Sequence, residues 1–352
     1  MPATKVVKHT LLFAVLSGRE KIKKPFLNKS IKISINFFFG PLLFFILSWS
    51  LYHQVIDRPN LGIQWNQIIN SWTNWKLWLV VFLMLVNWSI EAIKWKLLVK
   101  HIQAFSFFKA FKSVLSGCSI TILTPNRIGE YGGRILYIEN GNRIKAISLA
   151  MVGSISQLLV TMVMGCLGLF FLRYFSQYDN TILRVIPEFW EAVIASLCVG
   201  LTVILLLFYL RLGWLVRMME KVPALHKTVK HISVLDEFNN IQLVQILSLS
   251  FVRYLVFVFQ YLLLLQVMEV KIAVWVCFWL VAIFYLVMAV APTLGFIELP
   301  LRVSASWIIF QLYTTNELGV ATAALGIWLI NLVVPAIIGS LLIFSIKILK
   351  DK

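Results

Sequence analysis

Apolar stretches of about twenty residues recur along the chain, separated by short polar segments rich in lysine and arginine. Runs of that length cross a bilayer as helices. They are continuous rather than alternating, which predicts helices and argues against a membrane barrel. Full spans are expected over 33–54, 77–99, 146–172, 189–210, 243–268 and 318–346. Two further apolar stretches, 107–123 and 272–291, run straight into polar breaks.

The first break reads Thr124-Pro125-Asn126-Arg127-Ile128-Gly129-Glu130-Tyr131-Gly132-Gly133-Arg134. The second reads Pro292-Thr293-Leu294-Gly295-Phe296-Ile297-Glu298-Leu299-Pro300-Leu301-Arg302. Each contains a proline, a glycine, a glutamate and an arginine in that order, with four residues from Glu to Arg. The two Glu–Arg pairs are offset by the same 168 residues (298 − 130 and 302 − 134). Pro125, Pro292 and Pro300 interrupt or start helices. Gly129, Gly132, Gly133 and Gly295 are expected to permit tight turns and close backbone approach.

Composition agrees with a membrane protein. Hydrophobic residues make up 60% of the 352 and charged residues 13%, well off globular averages. The formal net charge of +17 would suggest nucleic acid in a soluble protein. Here it fits cytoplasmic loops against anionic headgroups, with no basic groove or stacking module. The four cysteines (Cys118, Cys166, Cys198, Cys277) lie in apolar segments without CxxC spacing, and the five histidines form no HExxH pattern. Neither a metal site nor a cofactor is expected.

Loop charge sets the topology. If 107–123 crossed the membrane, the basic loop after Leu210 would face outward, against the positive-inside tendency. If 107–140 instead dips in from the cytoplasm and returns, 25 of the 32 Lys and Arg residues fall in cytoplasmic segments and five outside, with Arg253 and Arg302 at membrane depth. The second hairpin, about 272–313, then re-enters from the opposite face. The expected fold is therefore an all-α polytopic membrane protein with about six full spans and two re-entrant helical hairpins, arranged as an inverted repeat. Residues 1–32 form a basic cytoplasmic segment. Residues 33–346 form one transmembrane domain, with repeat halves at about 77–172 and 243–346, and 347–352 form a tail on the cytoplasmic side. The expected location is the cytoplasmic (inner) membrane.

Intramembrane charges cost at least ~2.5 kcal/mol each on insertion scales, so retained ones point to function. Each break is expected to aim a helix N-terminus inward, Asn126 capping the first, and to attract anions. Arg127, Arg134 and Arg302 add positive charge, and Arg253 of the fifth span joins them as a candidate. Glu130 and Glu298 stand four residues before an arginine, the favourable order for a pair. These residues are expected to bind an anionic or zwitterionic lipid headgroup; alternatively, the two pairs only neutralise each other. Glu91 with Lys94 is expected to be an interfacial ion pair, Lys94-Trp95-Lys96 a snorkelling anchor, and Gln157, Gln260 and Asn331 interhelical glue.

The Pro…Gly-Glu-x-x-x-Arg element at Pro125, Gly129, Glu130 and Arg134, its looser second copy at Pro292–Arg302, and the stretch from Asn87 to Lys96 resemble the transmembrane region of lysylphosphatidylglycerol synthases. Lys94 stands where arginine is usual. The resemblance covers roughly residues 33–346. It implies lipid flipping, the role assigned to this region in the full synthases, where a separate soluble domain transfers lysine from transfer RNA. The chain stops six residues after its last expected span, so no room for that domain is expected and no enzymatic activity. The expected function is translocation of a phospholipid or polyprenyl-phosphate-linked lipid. The alternatives are a non-catalytic scaffold or accessory subunit of an envelope-biosynthesis enzyme, or a small-solute secondary transporter.

Overall fold

A computed structural model describes residues 69–121, 124, 128–175, 188–220, 232–291 and 298–347. The expected first span, the basic N-terminal segment and the C-terminal tail from 348 onward lie outside the described residues. So do Pro125, Asn126, Arg127, Pro292 and Gly295.

Among the described residues the chain is all helix, with no strand. Helix α1 (Trp75–Val99) starts where the Asn74 side chain accepts a hydrogen bond from the Lys76 backbone N–H at 3.0 Å, satisfying one of the open donors of the first turn. Helix α2 (Phe107–Thr121) leads to the first break, and the six-residue α3 (Gly129–Arg134) follows it. Next come α4 (Arg143–Phe175), α5 (Glu188–Leu210) and the short α6 (Leu212–Glu220). Helix α7 (Asn240–Val267) opens with a reciprocal cap, Asn239 bonding Gln242 N and Gln242 bonding Asn239 N, which satisfies two end groups at once. Helix α8 (Val274–Val290) runs into the second break, and α9 (Glu298–Phe310) leaves it with Pro300 in its first turn, where a missing N–H costs nothing.

The last expected span is not one smooth helix. It divides into α10 (Glu317–Trp328), a π turn at Leu329–Val333 and α11 (Val334–Lys347). Pro335 explains this. Its ring would clash with the carbonyl four residues back, and the wider turn ahead of it removes the conflict.

Helices α1, α4, α7 and the composite α10–α11 are long and apolar enough to cross a membrane, and the bent pair α5–α6 makes a fifth candidate. Their outward faces carry exposed apolar side chains such as Phe82, Phe170, Leu201, Phe259 and Leu341, as a lipid-facing surface requires.

The packing follows a simple exchange. Helix α1 packs on α7, α2 packs on α11, and α8 packs on α4. The segments flanking each broken region also meet. Asn142 donates to the Ile102 carbonyl at 3.1 Å, closing the ends of α2–α3, and Asn316 donates to the Met268 carbonyl at 2.9 Å, closing the ends of α8–α9. His101, after α1, lies 3.4 Å from Glu237, just before α7. Lys76, at the start of α1, donates to Gln266 at the end of α7 at 2.8 Å. The two helices are therefore antiparallel, and the two closures sit at opposite ends of the α1–α7 pair.

Candidate functional site

The site is built around one carboxylate. Asn87, Glu91 and Lys94 recur at helical spacing along α1, on the same face, and all three are buried. Glu91 Oε1 accepts from Arg134 Nη2 of α3 at 2.7 Å. Glu91 Oε2 lies 2.8 Å from Lys94 Nζ and 2.8 Å from Arg253 Nη1 of α7. Three cations from three helices thus converge on Glu91. Charge-assisted contacts of this kind are what makes burial of so many ions tolerable.

Each cation is also held by something else. Arg134 Nη2 contacts Glu130 as well, closing the i,i+4 pair of the first break. The Arg134 guanidinium lies 5.2 Å from the Trp95 ring, and its backbone carbonyl accepts from Ser113 Oγ, which in turn accepts from Trp95 Nε1 at 3.0 Å. Lys94 Nζ donates to the Gly153 carbonyl and Ser250 Oγ, both at 3.3 Å. Arg253 Nε donates to Asn87 Oδ1 at 2.8 Å, with the Trp88 and Phe257 rings each 5.2 Å away. Asn87 passes the link on, donating to Asn331 Oδ1 in the π turn at 3.1 Å.

The second break supplies a matching pair. Arg302 Nε and Nη2 both donate to Glu298 Oε1, at 3.0 and 2.8 Å, and both residues are buried. Glu298 from α9, Glu130 from α3, Arg253, Arg302 and Lys94 line one cavity of about 630 Å³. The two breaks, 168 residues apart in sequence, thus open on the same space. That volume lies within the range of small-molecule sites.

Several sequence expectations are corrected here. Lys94 is not a snorkelling anchor: with 1% of its side chain exposed it points inward to Glu91, because it lies one helical turn from it on the buried face. Trp95 is wholly buried too, and Lys96 alone of the three faces outward. Glu91 is accordingly the centre of the cluster and not an interfacial partner. Gly132 mediates no close approach, since a Cβ there would meet nothing within 4 Å. Gly129 and Gly133 do: a side chain at either would collide with the Ile120 or Ser116 carbonyl of α2. The N–H of Gly129 is capped by Thr124 Oγ1 at 2.7 Å. The first turns of α3 and α9 already hold Glu130 and Glu298, so each helix N-terminus faces a negative charge from its own chain.

The polar residues expected as glue behave so. Gln260 donates to the Val80 carbonyl at 2.8 Å and Gln157 to the Ser250 carbonyl at 3.4 Å. Among the described residues no group of His, Cys, Asp and Glu is arranged to hold a metal.

Comparison with known proteins gives one family. The family model described as the lysylphosphatidylglycerol synthase TM region matches residues 37–339. No curated protein and no solved structure matches the chain.

Proposed function

The chain belongs to the lysylphosphatidylglycerol synthase TM-region family, and from that premise we propose that it translocates a phospholipid or polyprenyl-phosphate-linked lipid across the cytoplasmic membrane. The observation that carries this reading is the shared cavity. Charged groups from α1, α3, α7 and α9 face one space inside an apolar helical bundle. Keeping them there is costly, and a polar headgroup passing the midplane is a reason to do so. The activity is transport rather than catalysis.

The reading includes the inverted repeat with two re-entrant hairpins and about six spans. Its support is the pairwise packing. Exchanging the half α1–α4 with the half α7–α11 maps α1 on α7 onto itself and α2 on α11 onto α8 on α4. The closures Ile102–Asn142 and Met268–Asn316 bring the ends of each broken region together, as hairpins entering from opposite faces require. In this reading both termini are cytoplasmic.

Reconstitution tests it. The purified chain in proteoliposomes is expected to move a tail-labelled fluorescent phospholipid between leaflets, read by dithionite quenching. Quenching no faster than in protein-free vesicles, across anionic, zwitterionic and polyprenyl-phosphate probes, defeats the proposal.

A further inference from the structure

A second groove lies on the outer surface, apart from the central cavity. It runs along one face of α7 beside the end of α1 and has a volume of about 610 Å³. Leu97 of α1 forms one wall. The other is a line on α7 at helical spacing, from Asn240 through Val244 and Ser248 to Val252. None of the charged groups around Glu91 lines it.

Along α7 the groove changes from polar to apolar. Asn240 begins the helix, Gln245 lies about 7.5 Å further along and Ser248 about 12 Å, at 1.5 Å per residue. Leu249 and Val252 then continue the wall without a polar group. The 28 residues of α7 measure about 42 Å, the thickness of a bilayer with both interfaces, each interface taking roughly 5–7 Å. Asn240 therefore stands at headgroup level, Gln245 at the ester linkages and Ser248 at the top of the acyl chains. All three are exposed, and their side chains have no hydrogen-bond partner among the described residues. An open amide facing lipid at that depth is costly unless a lipid supplies the acceptor.

The α1 side carries the charge. The contacts Lys76–Gln266 and His101–Glu237 hold α1 antiparallel to α7 and place Lys100 near the level of Asn240 and Lys96 near that of Val244. The two lysines, four residues apart, share a face beside Leu97. Both are exposed and have no acidic partner among the described residues. Lysines at a helix end are by themselves an ordinary snorkelling pair. Here they stand at the mouth of an apolar groove whose far wall offers amide donors at ester depth.

We propose that this groove holds one anionic phospholipid of the leaflet where α1 ends. Its phosphate lies on Lys96 and Lys100, its ester groups meet Gln245 and Ser248, and one chain follows Val244, Leu249 and Val252. The lipid bridges the outer surfaces of α1 and α7, the two helices joined inside by Glu91 and Arg253. A zwitterionic lipid fits the apolar part but brings its own cation to the phosphate and gains less from the lysines. A partner protein's helix would have to bring both carboxylates and acceptors to a depth where every bilayer lipid already has them. The site is independent of the translocation reading.

Fluorescence quenching on the purified full chain in zwitterionic vesicles tests it. A bimane is attached at Ile93→Cys, exposed on α1 beside the groove, or at Met151→Cys, exposed at similar depth on α4, in a background lacking the four native cysteines. Tail-brominated phosphatidylglycerol is expected to quench the Ile93 position at a roughly fivefold lower mole fraction than tail-brominated phosphatidylcholine, and the two lipids to act alike at Met151. Lys96→Gln with Lys100→Gln is expected to abolish the difference. Equal quenching by both lipids at Ile93 overturns the proposal, as does the same preference at Met151 or its survival in the double variant. Quenching by neither lipid at Ile93 shows the groove closed by protein and overturns it too. Should the double variant not fold, the comparison of the two positions on the parent chain decides.

Discussion

Arg134 of α3 donates to Glu91 of α1 at 2.7 Å across 43 residues of chain. That contact joins the first break to α1, and Glu91 reaches Lys94 and Arg253 with its other oxygen. Removing Glu91 would leave three cations in the interior with Glu130 as their remaining carboxylate. Losing one partner of a buried ion pair costs ~3–5 kcal/mol. Glu91→Ala is therefore expected to lose most of its thermal stability, read by fluorescence-detected size-exclusion after a heat step. A midpoint within a few degrees of wild type would mean the cluster contributes little to folding.

Glu130 gives the contrast. Its side chain is 22% exposed towards the cavity, against 3% for Glu91. Glu130→Gln keeps the shape and loses the charge that faces the cavity. We expect flipping in proteoliposomes to fall at least tenfold while the elution profile stays unchanged. Arg134→Ala is expected to lose flipping as well. Near-normal flipping by folded Glu130→Gln would make the pair structural.

What could be read from the sequence follows from what repeats. The two Pro–Gly–Glu–Arg breaks are visible because each interrupts an apolar run and the second repeats the first. Glu91 and Lys94 were misplaced because both lie near the end of a span, where a Glu–Lys pair reads as an interface anchor. Nothing in α1 alone tells which face is inward, since its apolar residues surround the polar ones on all sides. Only the approach of α3 and α7 turns Asn87, Glu91 and Lys94 into one buried face. Pro335 accounts for the π turn once the helix is seen, but the link of that turn to Arg253 through Asn87 and Asn331 depends on contacts more than a hundred residues apart.

Gly133 tests the packing beneath the site. A Cβ there would meet the Ser116 carbonyl of α2, and that carbonyl is backbone, so it has no rotamer in which to move aside. Overpacking of this kind costs ~1–3 kcal/mol, occasionally more, and here it would push α3 and Arg134 away from Glu91. Gly133→Val is expected to lower both thermal stability and flipping. Gly132→Val, one residue away but facing open space, is expected to leave stability within ~1 kcal/mol. Equal effects of the two would show that close approach of α3 to α2 is not what the glycine secures.

The orientation of the broken regions is open to direct measurement. Gly141 follows α3 and lies at the end where α1 stops, and Lys271 follows α7 at the opposite end; both are exposed. In the inverted-repeat reading the first is cytoplasmic and the second external, because 107–140 returns to the side it left. If α2 instead crossed fully, every later segment would be inverted, with Gly141 external and Lys271 cytoplasmic. Single cysteines at the two positions, in a background lacking Cys118, Cys166, Cys198 and Cys277, are expected to separate cleanly. A membrane-impermeant maleimide on intact cells should label Lys271→Cys and spare Gly141→Cys until the cells are opened. A Gly141 cysteine labelled from outside would require six-span topology to be abandoned and the Ile102–Asn142 contact to be explained without re-entry.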